Sequence, residues 1–312
     1  MEKSVREMSS AMRKTKCKTG LMAVLAMTSV MMSCSEKIKC DFQPGDGKTV
    51  PVTMRIASLE QIPFSQVTGG TKANASPAGI CNKVNFAVYT EKDGAFTRVN
   101  QINQDAGSQD FGVVTLNLAE GSYKLLALAH GGDGNPTMTN PLKVSFNNRN
   151  TLKMTDTFMY CSDITVTDDT HELNLQLKRV VGMFQLHLKD TKLHEDIRKL
   201  HFEYTGGSST INAVTGLGCV ASRQSEILDI DPEIREYGVY TFRKDDSDKL
   251  KVTVSALDSA GVVLKSQEFI DVPIANNYIT RYSGEMFSKV DPTPRFSMFL
   301  DNDWAGTDSY DF

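Results

Sequence analysis

The sequence of 312 residues predicts an all-β protein of antiparallel β-sandwiches with Greek-key connections. Three observations predict it. Apolar and polar residues alternate with period two through about ten short segments. Turn formers separate these segments at hairpin spacing. Scarcely any stretch carries a helical period, as expected of a sandwich. The composition, 40% hydrophobic and 8% aromatic, supports proper cores in one large or two ordinary domains.

The chain opens with six basic side chains against two acidic ones in residues 1–20, and no charge falls in 21–33. The whole chain carries −4, so the remainder after that stretch carries −8. A body that acidic has no general attraction to phosphate backbones, and no basic stripe is interleaved with aromatics, so nucleic acid is not an expected partner. The apolar run Leu21 to Met32 has signal-peptide length and is too short to cross a bilayer, which takes about 20 helical residues. Residues 1–33 are therefore expected to be an export signal that is removed.

Ser33 and Cys34 follow at once and resemble the lipobox of bacterial lipoproteins, in which a cysteine thiol is acylated before cleavage. Met31 and Met32 depart from the usual leucine and small residue. Cys34 is the expected lipidation site, each buried methylene of its acyl chains contributing about 0.8 kcal/mol of anchoring. The plainer alternative is an ordinary signal peptide, with Cys34 free or disulfide-bonded. Ser35 does not resemble an inner-membrane retention signal, and Glu36 echoes the acidic surface-export signals of Bacteroidetes lipoproteins. The expected location is the outer membrane, lipid-anchored and surface-exposed. Of the remaining cysteines, Cys17 leaves with the signal. Cys40, Cys81, Cys161 and Cys219 are too far apart for a CxxC metal or redox motif, and they permit three full pairings or free thiols.

Residues 34–48 are polar and read as a tether. Beyond them, Leu173 to Lys178 and Leu250 to Ala256 alternate strictly. Val84–Tyr89, Val113–Leu118, Tyr123–Leu128, Tyr237–Phe242 and Val262 onward to Phe269 also read as strands, and residues 91–96, 119–123 and 258–262 read as turns. Leu173, Leu175 and Leu177 point one way, yet Phe184, Leu186 and Leu188 form the apolar set beyond Gly182. One extra residue reverses the parity, so a bulge or strand switch is expected between Arg179 and Gly182. The expected organisation is one sandwich over 49–172 and a second over 173–312, the last strand included.

No catalytic constellation emerges. His187, His194 and His201 lie seven apart, but His187 falls on the polar face of its strand and His194 in a charged loop, which favours solvated histidines over metal ligands. The acidic stretches 168–172, 244–249 and 301–306 each lack a complete calcium-loop pattern and read as solvated hairpin tips. The glycine-rich 131–136 follows a strand but enters no helix with Lys-Ser/Thr, so it reads as a loop. No G-x-S-x-G elbow is present. The expectation is a non-enzyme without metal or cofactor.

Four stretches, VNFAVYTEKDGAF (84–96), LAEGSYKLLALAHGG (118–132), LNLQLKRVVGMFQLHL (173–188) and DVPIANNYITRYSGEMF (271–287), resemble the FimB/Mfa family of fimbrial anchor subunits, lipoproteins of the Bacteroidales type V pilus system. The likeness spans about residues 40 to 312. It implies two transthyretin-like antiparallel β-sandwich domains and a role in holding or terminating a pilus. Its partners would be pilin or fimbrial subunits, joined by strand addition, in which an extended segment of one subunit completes the sheet of the next. Phe296, Met298 and Leu300 share one face of RFSMFL and suit partner binding, unless this is simply the last intramolecular strand. Stalk subunits of such pili are cut after an arginine beyond the first strand. Here 56–97 contains no arginine and Arg55 lies within the first expected strand, which favours an uncut anchor or accessory subunit. The alternative is a cell-surface glycan-binding lipoprotein, for which Trp304, the only tryptophan, would have to supply an aromatic platform.

Overall fold

The structure, a computed structural model, describes residues 48–60, 79–146, 154–191, 193–245, 249–287, 296–297 and 306–308. The chain divides into two units, Met1–Lys39 and Cys40–Phe312. The first, with the expected export signal and Cys34, lies outside the described residues, as do residues 40–47 of the expected tether. No α-helix occurs among the described residues.

The first half forms β1 (Thr49–Glu60), β2 (Lys83–Lys92), β3 (Ala95–Asp105), β4 (Val113–Ala119), β5 (Gly121–His130), β6 (Val144–Ser145), β7 (Thr157–Val166) and β8 (Glu172–Arg179). All but β6 join one sheet in the order β3-β2-β5-β7-β8-β1-β4. Between β7 and β8 only Phe158–Arg179 and Met159–Lys178 pair. This corner folds the sheet on itself, so Met54, Leu116 and Leu175 of one leaf meet Phe86, Leu125 and Phe158 of the other in a single core. β1 is antiparallel to β4 and parallel to β8. Its Pro51 is tolerated because the β8 ladder begins only at Thr53, so the missing N–H has no partner to lose.

The second half forms β9 (Gly182–Leu188), β10 (Lys199–Thr205), β11 (Thr210–Asn212), β12 (Leu217–Gly218), β13 (Gln224–Asp229), β14 (Glu236–Thr241), β15 (Lys249–Leu257), β16 (Val263–Pro273), β17 (Tyr278–Gly284), β18 (Phe296–Ser297) and β19 (Gly306–Asp308). One sheet has the order β13-β10-β15-β16 and another β14-β9-β17-β18, with β19 also on β17. Their inner faces close over Phe184, Phe202, Val252, Phe269 and Tyr282. The ring of Phe184 lies 5.4 Å from Phe269 and 5.7 Å from Tyr282, within the range where aromatic pairs add to simple area burial. The architecture is all-β, as the alternation predicts.

The expected strand switch is present: β8 ends at Arg179 and β9 starts at Gly182 in a different sheet. The boundary after residue 172 does not coincide with it. β8 pairs with β1 and β7, so it belongs to the first sandwich, and the chain crosses at Val180–Val181. At this crossing the outer faces of β2, β5 and β7 are covered. Tyr89, Leu126, Leu128 and Met159 pack with Phe146, Val181, Ile211, Phe242 and Ile279 in a third core shared by both halves. β6 pairs β11 across the same seam.

Gly182 opens β9 directly after the crossing. A Cβ there would lie 2.5 Å from the Ala275 carbonyl oxygen and 2.7 Å from Ile274 Cδ1. Gly182→Ala is therefore expected to destabilise the fold by about 1–3 kcal/mol through overpacking, read as a lower urea midpoint. An unchanged midpoint would refute that account of the seam.

Candidate strand-pairing site

β17 shows how this fold treats a sheet edge. One side pairs in parallel with β9 from Ile279–Met183 to Gly284–Leu188. The other side carries two short segments of opposite sense. β18 is antiparallel, with Ser283–Ser297 and Gly284–Phe296, and β19 is parallel, from Tyr278–Gly306 to Thr280–Asp308. Residues beyond Gly284 thus return to complete the edge of a sheet already formed, through main-chain bonds. The expected partner-binding residue Phe296 has its backbone in this intramolecular pair. Met298, Leu300 and Trp304 lie outside the described residues.

The strand receiving these segments is held rigidly. On its core face Tyr282 packs 4.9 Å from Phe269. On its other face the buried Arg281 donates from Nε to Gln185 Oε1 and pairs with Glu236 Oε1 at 3.5 Å. His187 Nδ1 lies 3.3 Å from the same carboxylate oxygen. After the strand, the buried Asp190 carboxylate accepts the N–H groups of Met286 and Phe287 at 2.9 and 2.6 Å, which fixes the turn.

Elsewhere, the polar motifs among the described residues make structural contacts. His187, His194 and His201 belong to β9, a loop and β10, with separate partners in Glu236, Asp196 and Ser225. Among the described residues no group of His, Cys, Asp or Glu is arranged to hold a metal. In the acidic stretch 168–172, Lys48 Nζ lies 2.7 Å from Asp168 Oδ1 and holds that carboxyl below its usual range, while a hydrogen bond to Asp168 pushes Glu120 up. Cys81, Cys161 and Cys219 are free thiols. Burial pushes the Cys81 thiol up to about 12 and the Cys161 thiol to about 11, so neither forms the reactive thiolate at neutral pH.

Two side-chain clusters have no signature in the sequence. At the seam, Arg179 donates from Nε and Nη2 to the two Asp156 carboxylate oxygens at 2.7 and 2.8 Å. It also donates from Nη1 to Asn277 Oδ1 at 2.9 Å, and its guanidinium lies 4.7 Å from the Phe158 ring centroid. Beside the 131–136 loop, the fully buried His130 lies 3.1 Å from Asn85 Oδ1 through Nε2, and its Nδ1 accepts the Gly132 N–H. Asn85 Nδ2 donates to Asn103 and Asn135. These bonds fix the glycine-rich loop against β2 and β5.

Among the described residues, the edge of β17 offers main-chain hydrogen bonding to added strands. Residues 47–311 match the model of a family of unknown function (DUF6562). The chain belongs to this family. Among solved structures the chain is similar to a fimbrial assembly protein from Parabacteroides distasonis, at 13% identity over 85% of this chain and 99% of that one, with a TM-score of 0.41. It is also similar to the tip fimbrial protein Mfa3 from Porphyromonas gingivalis, at 10% identity over 82% and 99%, TM-score 0.39. A third is a candidate polysaccharide-binding protein (DUF1812) from Bacteroides thetaiotaomicron, at 13% identity over 84% and 98%, TM-score 0.47. No curated protein matches the sequence.

Proposed function

We propose that this member of the family is a fimbrial subunit that anchors a pilus, or regulates its assembly, at the outer membrane, where acyl chains on Cys34 hold it. Strand addition between subunits is the mechanism, without catalysis, and its partners are other fimbrial subunits. The observation that carries the reading is the edge of β17, where segments after Gly284 add as strands to a finished sandwich. The same backbone geometry serves a strand given to or taken from a neighbour. Arg55 supports an uncut subunit, because it sits mid-strand between Val113 of β4 and Asn174 of β8, where a protease cannot reach an extended chain.

The test is recovery of crosslinked complexes from cell envelopes, with mass spectrometry of the mature N-terminus. A ladder of fimbrial subunits and an acylated Cys34 are expected. Recovery with a carbohydrate transporter instead, and glycan affinity abolished by Trp304→Ala, would favour the glycan-binding alternative. A freely secreted, unacylated chain would remove the anchor, and a mature N-terminus just past Arg55 on fibres would make it a polymerising stalk.

A further inference from the structure

The edge strands of the two sandwiches are not guarded alike. Soluble proteins blunt free edges with charge, proline, glycine or bulges, because an open edge pairs with other chains. β3 carries Arg98, Asp105 and an extra residue at Val99. β13 carries the buried Glu226 as well as Asp229, and β14 carries Glu236 and Gly238. β16 has Lys265, Glu268 and Pro273 and irregular register at both ends. β4, of sequence VVTLNLA, has none of these and pairs with β1 in unbroken register.

The open part of β4 can be located to single groups. Ile56 donates its N–H to the Gly112 carbonyl. This sets the phase, so that even-numbered residues of β4 bond to β1 and odd-numbered ones face away. The carbonyls at both ends of the outward row are already taken. The Val113 carbonyl accepts from Gln104 Nε2 at 2.7 Å and the Val113 N–H donates to Asp110, while the Ala119 carbonyl accepts the Tyr123 hydroxyl at 2.9 Å. Among the described residues this leaves the N–H and carbonyl of Thr115 and of Asn117 facing outward, a window centred on Leu116, with the Ala119 N–H beyond it. Thr115 and Asn117 themselves are exposed.

We propose that β4 pairs edge to edge with β4 of a second copy of this chain, antiparallel about a two-fold axis at Leu116. In that register Thr115 of each copy faces Asn117 of the other. The four groups of the window on each side form four backbone hydrogen bonds, with only the Ala119 N–H of each copy outside them. On the core face Leu116 meets Leu116, and Val114 meets Leu118. On the outer face the two polar pairs are uncharged, so nothing repels. A window that matches itself about its own centre and is stopped at both ends suits this isologous contact better than a long foreign strand, which the closed Val113 and Ala119 carbonyls would halt. This inference is independent of the fimbrial reading.

The full chain, purified in detergent, is tested by light scattering over a concentration series. Concentration-dependent dimers are expected, with slowed amide exchange at Thr115 and Asn117. Thr115→Lys with Asn117→Lys places lysine opposite lysine twice and is expected to weaken the dimer by at least about tenfold. Thr115→Lys with Asn117→Glu places opposite charges together and should retain it. Both substitutions lie on an exposed face, so folding is checked by an unchanged urea midpoint. A monomer at every concentration, or equal behaviour of the two double variants, overturns the proposal. A monomer that still recovers fimbrial subunits overturns it while leaving the proposed function standing, and a dimer that recovers none has the reverse meaning.

Discussion

Arg179→Met is expected to lower the free energy of unfolding by about 3–5 kcal/mol, the usual cost of breaking a buried ion pair from one side. Arg179 is 6% exposed, and its removal strands the Asp156 carboxylate that it holds by two charge-assisted bonds. It also frees Asn277, whose backbone is in the left-handed region at φ 61° and whose N–H is tied to the Val181 carbonyl. Most of the loss comes from the stranded charge, so adding Asp156→Asn should restore part of it. Arg179→Lys should not rescue fully, because an ammonium cannot make the two-pronged contact. Urea unfolding of the single and double variants measures each step. A loss below about 1 kcal/mol, the scale of an exposed pair, would mean that the guanidinium is not the seam's clamp.

The seam also shows what a sequence can and cannot reveal. β8 and β15 are legible because one face of each meets a core and the other meets water, so leucine or valine alternates with Asn, Gln, Lys or Thr. The parity change between Leu177 and Phe184 locates the strand switch for the same reason. β3 is not legible in that way. It is an edge strand whose residues are mostly half-buried, so Arg98, Asn100 and Gln101 replace any apolar alternation. β2 and β5 read as half-buried strands, yet both faces are buried, because the shared core covers what would otherwise be a solvent face. That cover comes from residues as distant as Phe242 and Ile279, beyond the reach of any local pattern. The parallel pairings of β1 with β8 and β9 with β17 are hidden for the same reason. Strand edges are the least legible feature, since an unpaired N–H has no residue type. Only the absence of guards along β4, taken with its place at a sheet edge, betrays one.

Acid is expected to weaken this fold through one buried imidazole. His130 is fully buried, and desolvation, reinforced by the charge of Lys83, pushes its pKa down to about 4. The neutral ring is held in one tautomer, with Nε2–H donating to Asn85 Oδ1 and Nδ1 accepting from Gly132. A second proton would have to enter at Nδ1, where an N–H already points. The unfolded chain, with an ordinary histidine near 6.5, binds more protons than the native state between pH 6.5 and 4. Stability is therefore full above 6.5 and falls as the pH drops through that window, by about 3 kcal/mol in total. Carboxylates add their own acid dependence, so the decisive quantity is a difference. His130→Gln should be less stable than the parent at pH 7.5, having lost the fitted ring, but should lose about 3 kcal/mol less on going to pH 4. Urea unfolding at both pH values measures it. Parallel losses in the two proteins would mean that the ring titrates normally, and that the cluster formed by His130, Asn85 and the 131–136 loop opens to water in the native state.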